Sequence, residues 1–294
     1  MRIVFLTDTH LVPSLTTRND DYAATILAKW RYVCRKATEW GADLIVHGGD
    51  VFDKPTVPRW LEHSVLALID ESPVRHCIVC GTHDIGSGEP TTFGRSIGVL
   101  ASQRNVYAFS GPGSVRVGDL LLCGACADVD WQGGAEVIAV HQMLTDVEVP
   151  WEHQNIREIQ TNAKFVLSGD YHPGWCGNES TCFINPGALG RTFRSPHDMT
   201  RQVMAAAIDT ESEHTEQWMV PHEPAQNIYV EKDVPAMAEL RASVADAIED
   251  AKQKLGPTGD VLDVEGLELE TPAPIQEGLA RLKELCKEVE TTSE

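Results

Sequence analysis

No apolar run in this sequence approaches the roughly 20 residues that a helix needs to cross a bilayer, so no membrane partner is expected. The first ten residues, MRIVFLTDTH, turn acidic early and lack the small-residue cleavage site of a signal peptide. They read as a first strand, and a cytoplasmic location follows as the expectation. Basic residues are scarce, with 24 Lys and Arg against 44 Asp and Glu, for a net charge of −20. The average field of such a chain repels a polyanion. The imbalance is uneven: residues 221–294 alone carry 17 acidic and 7 basic side chains. Internal repeats and low-complexity tracts are absent. Eight cysteines include two C-x-x-C pairs, Cys77/Cys80 and Cys123/Cys126. In a strand such as HCIVCG, positions three apart point to opposite faces and cannot converge on one zinc ion. Cys176 and Cys182 flank a turn and could face each other across a hairpin; free thiols are expected in a reducing compartment.

At 42% hydrophobic and 23% charged, 294 residues suffice for one large α/β domain and a smaller appendage. Strands are predicted at 3–6, 44–47, 77–80, 114–117, 120–123, 137–141, 165–168, 182–184, 203–208 and 217–220. Between the first two, Tyr22, Ile26, Trp30, Val33 and Ala37 recur at helical spacing and Gly41 closes the segment. A second helix follows Pro58, with Leu61, Val65, Leu68 and Ile69 inward. Strand, helix, strand, helix, strand implies a layered α/β fold with parallel pairs. The later strands, with few helices between them, suggest a second and more antiparallel sheet. Beyond about Pro221 come Pro-rich joints and two amphipathic acidic helices, roughly 235–255 and 274–290.

The chemistry gathers at strand ends. The first strand stops at Asp8-Thr9-His10, the second at Gly48-Gly49-Asp50-Val51-Phe52-Asp53, and the third at Gly81-Thr82-His83-Asp84. His141 ends a fourth, and Gly169-Asp170-Tyr171-His172 follows a fifth. Ligands of open α/β sheets bind at the carboxyl ends of the strands. Carboxylates and imidazoles converging there repel or desolvate one another unless cations lie between them. Mixed oxygen and nitrogen donors suit Mn²⁺, Fe²⁺ or Zn²⁺ better than Ca²⁺. Two such cations about 3.5–4 Å apart activate water and clamp a phosphodiester for in-line attack, and a neighbouring imidazole can protonate the departing oxygen.

This ordered series resembles the calcineurin-like metallophosphoesterases, whose pattern is D-x-H, G-D-x-x-D, G-N-H-D/E, H and G-H-x-H. Within that superfamily the chain looks most like the DNA-repair nuclease subunit SbcD, its Mre-type relatives and their short phage forms. The closer features are TRNDDY (17–22), GGDVFDKP (48–55) and INPGALGR (184–191). The resemblance covers about residues 1–210 and implies a four-layer α/β/β/α sandwich, with residues 1–222 as catalytic domain and 223–294 as a small helical extension. It implies that Asp8, His10 and His172 hold one divalent metal, that Asp50 bridges, and that Thr82, His141 and Asp170 complete a second site. Mn²⁺ is the expected ion, with Mg²⁺, Fe²⁺ or Zn²⁺ as alternatives. His83 would be the acid, oriented by Asp53 or Asp84. Thr82 stands where the family has Asn, and Asp170 where it has the first His of the last motif; both fall on the second metal.

The expected activity is metal-dependent hydrolysis of DNA phosphodiesters, as an exonuclease or end-processing nuclease. Arg18, Arg191 and Arg194, with Arg201 extending the strip, are the candidate substrate contacts. Implied partners are DNA, an SMC-like ATPase subunit of SbcC type docked on residues 235–290, and a second copy of the chain. The net charge favours a rival, an enzyme for nucleotides or other small phosphates. A third reading, a non-catalytic binding scaffold on the same fold, rests on Thr82.

Overall fold

The computed structural model describes residues 1–86, 92, 94–178 and 181–230. The two acidic helices predicted within 235–290 lie outside the described residues. The first half runs β1 (Arg2–Leu6), α1 (Tyr22–Trp40), β2 (Leu44–His47), α2 (Arg59–Glu71), β3 (Arg75–Ile78), α3 (Thr82–Ile85), α4 (Ser96–Leu100), β4 (Val106–Phe109), β5 (Ser114–Val117) and β6 (Leu120–Cys123). The second half runs β7 (Val137–Val140), β8 (Leu144–Thr145), β9 (Gln154–Asn155), β10 (Phe165–Ser168), β11 (Trp175–Asn178), β12 (Cys182–Asn185), α5 (Pro196–Thr200), β13 (Met204–Asp209), β14 (His214–Met219) and α6 (Ala225–Ile228). These residues belong to one compact unit, Met1–Val230.

Two six-stranded sheets, ordered β14-β13-β1-β2-β3-β4 and β11-β12-β10-β7-β6-β5, pack face to face. Strand alternation builds the layers. Ile3 and Phe5 of β1, Leu44 and Val46 of β2, and Cys77 and Val79 at β3 meet Leu120, Leu122, Val137, Ala139, Phe165 and Leu167 of the other sheet. The intervening Val4, Ile45, Ile78 and Cys80 turn outward, against α1 and α2. Cys77 and Cys80 therefore lie on opposite faces, which rules their C-x-x-C out as one metal clip. In the β11–β12 hairpin, Cys182 pairs with Asn178 and Cys176 with Ile184, so the two cysteines do not sit directly opposite each other.

Helix α1 follows its sequence signals. Asp21 caps it through Ala24 N, and Gly41 ends it at φ 73°, a conformation that costs glycine little. Pairs β1–β2 and β2–β3 are parallel, as the alternating pattern requires. The second sheet departs from expectation: its core pairs β6–β7, β7–β10 and β10–β12 are parallel, and only the edges β5–β6 and β11–β12 are antiparallel. Parallel neighbours need a long crossover. Here residues 124–136 and 141–164 supply it as loops, the β8–β9 ribbon and one 3₁₀ turn (Ile156–Glu158), which left no helical periodicity to read. These segments cover the outer face of the second sheet, through Leu144, Ile156 and Ala163 on Ile138, Val140 and Val166. That outer layer is thin.

His76, fully buried on β3, rests its Nε2 3.6 Å from Cys34 Sγ. Burial pushes its pKa down to about 4. Below pH 6.5 the unfolded chain binds a proton that the folded chain refuses, so stability is lost as pH falls from 6.5 towards 4. The expected loss from this one group is about 3 kcal/mol. In denaturant titrations at stepped pH, His76→Gln should show a shallower decline over that window. Parallel pH profiles for the two proteins would refute the assignment.

Candidate metal centre

The ends of β1, β2, β3, β7 and β10 lie side by side, and their loops extend the strand pairing. Asp8 N donates to Gly49 O at 3.1 Å, His10 N to Asp50 O at 2.9 Å, and Gly169 N to Val140 O at 3.0 Å. Among the described residues other than glycine, positive φ occurs at Asp8 (52°), His10 (43°), Asp50 (49°), Asp170 (77°) and the hairpin residue Glu213 (54°). Four of these five are residues singled out as metal ligands, and strained backbone of this kind clusters at functional sites. Close approach also dictates two glycines. A Cβ on Gly49 would collide with the His141 ring at Nδ1, and one on Gly81 would collide with Asp50 Oδ1.

Three interlocking groups result: Asp8, His10 and His172; His10, Asp50 and His83; and Asp8, Asp50 and His141. Asp50 is the hinge. Its Oδ2 lies 3.6 Å from His10 Nε2 and 3.4 Å from His141 Nε2, while its Oδ1 accepts His83 N at 2.8 Å. His172 Nε2 is 3.0 Å from His10 Nε2, and both are 3.8 Å from Asp8 Oδ1. Thr7 Oγ1 donates to Asp8 Oδ2 at 2.8 Å, a contact without a motif signature.

The donor set fits divalent cations. His141 Nδ1 is 2.8 Å from Gly48 O and must carry the hydrogen, leaving a lone pair on Nε2. That Nε2 is buried without a hydrogen-bond partner, beside a carboxylate oxygen. A lone pair facing a carboxylate needs a positive charge between them. In the protein alone, protons take that place. Burial opposes charge on His141, but Asp50 overrides it and raises the pKa well above 6.5. Burial likewise opposes charge on His10, and Asp53, Asp50 and Asp8 raise it. Burial leads at His172, whose pKa falls with His10 and Arg201 adding to the effect, and at Asp170, whose pKa rises with Asp8 and Asp50 adding to it.

The remaining predicted residues divide. Asp170 stays out of the three groups, and it is its backbone N that reaches Asp8, at 3.1 and 3.3 Å from the two carboxylate oxygens. Thr82 is exposed at the first position of α3. His83 Nδ1 lies 3.0 Å from Asp53 O and 3.7 Å from Asp53 Oδ1, with its ring edge-on to His10 at 4.7 Å. Of the two candidate neighbours, Asp53 is the one in contact with the His83 ring, and Asp84 is turned to backbone amides. The fully buried Asp84 carboxylate accepts Gly81 N at 2.9 Å, Phe52 N at 2.9 Å and Val51 N at 3.3 Å, tying the second and third loops together. Burial and then Asp50 push its pKa up to about 7.

The arginine strip is also corrected. Arg18 is buried, pairs with Asp20 at 2.6 Å and donates to Arg191 O at 2.9 Å. Arg191 is buried and donates to Glu223 O and Arg201 O. Arg201 is buried against Asp198. Of these four, Arg194 alone is exposed. Each of the others satisfies backbone carbonyls or a carboxylate, which a sequence strip cannot reveal. Sequence reasoning missed His47, whose Nδ1 accepts Gly49 N at 3.3 Å and whose Nε2 lies 3.1 Å from Thr9 Oγ1, joining the first two ligand loops from beneath. Its position as the last residue of an apolar strand was the available signal.

Among the described residues no helix is long and apolar enough to cross a membrane. No curated protein matches the sequence. Solved structures similar to the chain include TT1561 of Thermus thermophilus, at 12% identity and TM-score 0.47 over 75% of this chain and 99% of that one. A dimetal phosphatase from Danio rerio matches at 11% identity and TM-score 0.46, over 70% and 91% of the two chains. Yfce, a phosphoesterase from E. coli, matches at 14% identity and TM-score 0.36, over 75% and 100%. The family model of the calcineurin-like phosphoesterase superfamily domain matches residues 1–211, the span that contains every strand end described above, and the chain belongs to that superfamily.

Proposed function

We propose that this chain is a dinuclear-metal-dependent phosphodiesterase of the cytoplasm that acts on small phosphate esters, with Mn²⁺ as its working ion. The observation that carries the two-ion reading is Asp50 Oδ2, one carboxylate oxygen flanked by two imidazole nitrogens from different strands. Asp8, His10 and His172 would hold one ion, His141 the other, and Asp50 both, with Thr82 and Asp170 beside the second. Bound there, the ions would activate water and neutralise charge on the phosphoryl oxygens. His83, its Nδ1 occupied by Asp53 O, keeps Nε2 to protonate the departing oxygen.

The small-substrate reading is supported by charge. The chain carries −20, and of the four arginines expected to grip a polyanion three are buried. The nuclease reading draws on TRNDDY, GGDVFDKP and INPGALGR, and brings with it DNA and an SMC-like ATPase as partners. One experiment separates them. Purified protein with Mn²⁺ is given a chromogenic phosphodiester and, in parallel, end-labelled linear duplex and single-stranded DNA. Turnover of the diester with intact DNA is the expected result. Shortening of the labelled DNA would establish the nuclease instead, and inactivity on both with every divalent ion would leave a binding scaffold.

A further inference from the structure

Lys29 lies mid-way along α1, 4% exposed, on a face otherwise built from Tyr22, Ile26, Trp30 and Val33. Burying an ammonium costs several kcal/mol, and an apolar residue would serve the packing of α1 better. Burial, then Arg18, Arg191 and Arg201, push its pKa down to about 7. The cost points to a task other than packing.

Its Nζ donates to Leu189 O at 3.0 Å. The neighbouring carbonyls are covered in the same way. Arg201 donates to Ala188 O at 2.7 Å and to Gly190 O, and Arg18 donates to Arg191 O at 2.9 Å. Four successive carbonyls, 188–191, thus each receive a donor from a basic side chain. The amides of the same segment point the other way, into the metal centre. Ala188 N donates to His172 O at 3.1 Å, Leu189 N to Thr7 O at 3.0 Å, and Gly190 N to Asp8 O at 3.1 Å. Tyr22, on α1 before Lys29, closes the same side by donating its hydroxyl to Thr9 O at 2.9 Å.

We propose that Lys29, through the clasped segment 188–191, is a positioning residue chiefly for the Asp8–His10–His172 metal site, and reaches the His141 site only through the shared Asp8. A peptide polarised at its carbonyl donates more strongly at the amide of the next residue, so the donors on Ala188 O and Leu189 O strengthen the amides of Leu189 and Gly190, which fix the backbone of Thr7 and Asp8. Asp50 and His141 take none of their hydrogen bonds from this segment. The proposal rests on the metal-centre reading given above.

The test is calorimetric titration of Mn²⁺ into metal-free protein, with His172→Ala marking which binding class belongs to the first site. Lys29→Met is expected to weaken that class about tenfold and the other by much less. Leu68→Ala, in α2, lowers stability without removing any of the hydrogen bonds to segment 188–191 and should leave both classes intact. If Lys29→Met does not fold, Lys29→Gln, with a shorter neutral donor, should weaken the same class by less. Equal weakening of both classes, or of neither, overturns the proposal while the metal centre stands. A wild-type protein that takes up no divalent ion overturns both.

Discussion

Asp50→Asn is expected to lower Mn²⁺-dependent phosphodiester turnover by about three orders of magnitude, a loss of ~4 kcal/mol in transition-state stabilisation. The reasoning runs through its two oxygens. Oδ1 accepts the His83 amide, a bond that the Asn carbonyl keeps. Oδ2 faces His10 and His141 at 3.6 and 3.4 Å, and the replacement puts an NH₂ group there, uncharged and with hydrogens directed at the place a cation would occupy. Shape is conserved while the charge that draws two ions together is removed. A second readout follows by mass action. Added Mn²⁺ should raise the unfolding temperature of the wild type, because an ion present at a hundred times its dissociation constant stabilises by about 2.7 kcal/mol. Most of that rise should vanish in Asp50→Asn. Turnover within tenfold of the wild type would contradict the bridging role.

The site was legible where chemistry and chain direction coincide. Asp8, His10, Asp50, His83, His141 and His172 each follow an apolar run, and parallel strands deliver their carboxyl ends to one crevice whatever the details of packing. Residues whose role depends on a distant carbonyl could not be read. Arg18 and Arg191 look like open basic residues in sequence, yet their partners, Arg191 O and Glu223 O, are brought to them only by the fold. Lys29 was hidden by its own helix, since one cation on an amphipathic face passes for an edge residue. Asp84 departs from expectation for a local reason: a carboxylate three residues after Gly81 is placed to accept that residue's amide, a capping geometry that competes with any catalytic role. The second sheet departs because helix periodicity is the sequence cue for a crossover, and among the described residues its crossovers contain no long helix.

His83→Ala should separate proton transfer from ion binding. The substitution leaves the residue's backbone amide on Asp50 Oδ1, so the bridging carboxylate keeps its orientation and Mn²⁺ affinity should stay that of the wild type. What is lost is the imidazole, which stands half exposed at the mouth of the site with Nδ1 held by Asp53 O. General acid catalysis by a positioned histidine contributes about 10²–10⁴-fold, and its share depends on how poor the leaving group is. An alkoxide must be protonated as it departs, whereas a nitrophenolate departs readily without a proton. The expected pattern is therefore a fall in kcat of about 10³-fold on an alkyl phosphodiester, a fall several-fold smaller on the nitrophenyl diester, and an unchanged KM on both. Asp53→Asn should lie between the two proteins, because the carbonyl that holds His83 is its backbone and survives the change, while the carboxylate 3.4 Å from His10 Nδ1 does not. Equal losses on both leaving groups would assign His83 to substrate binding, and weakened Mn²⁺ binding would make it a ligand, as its place beside His10 and Asp50 also allows.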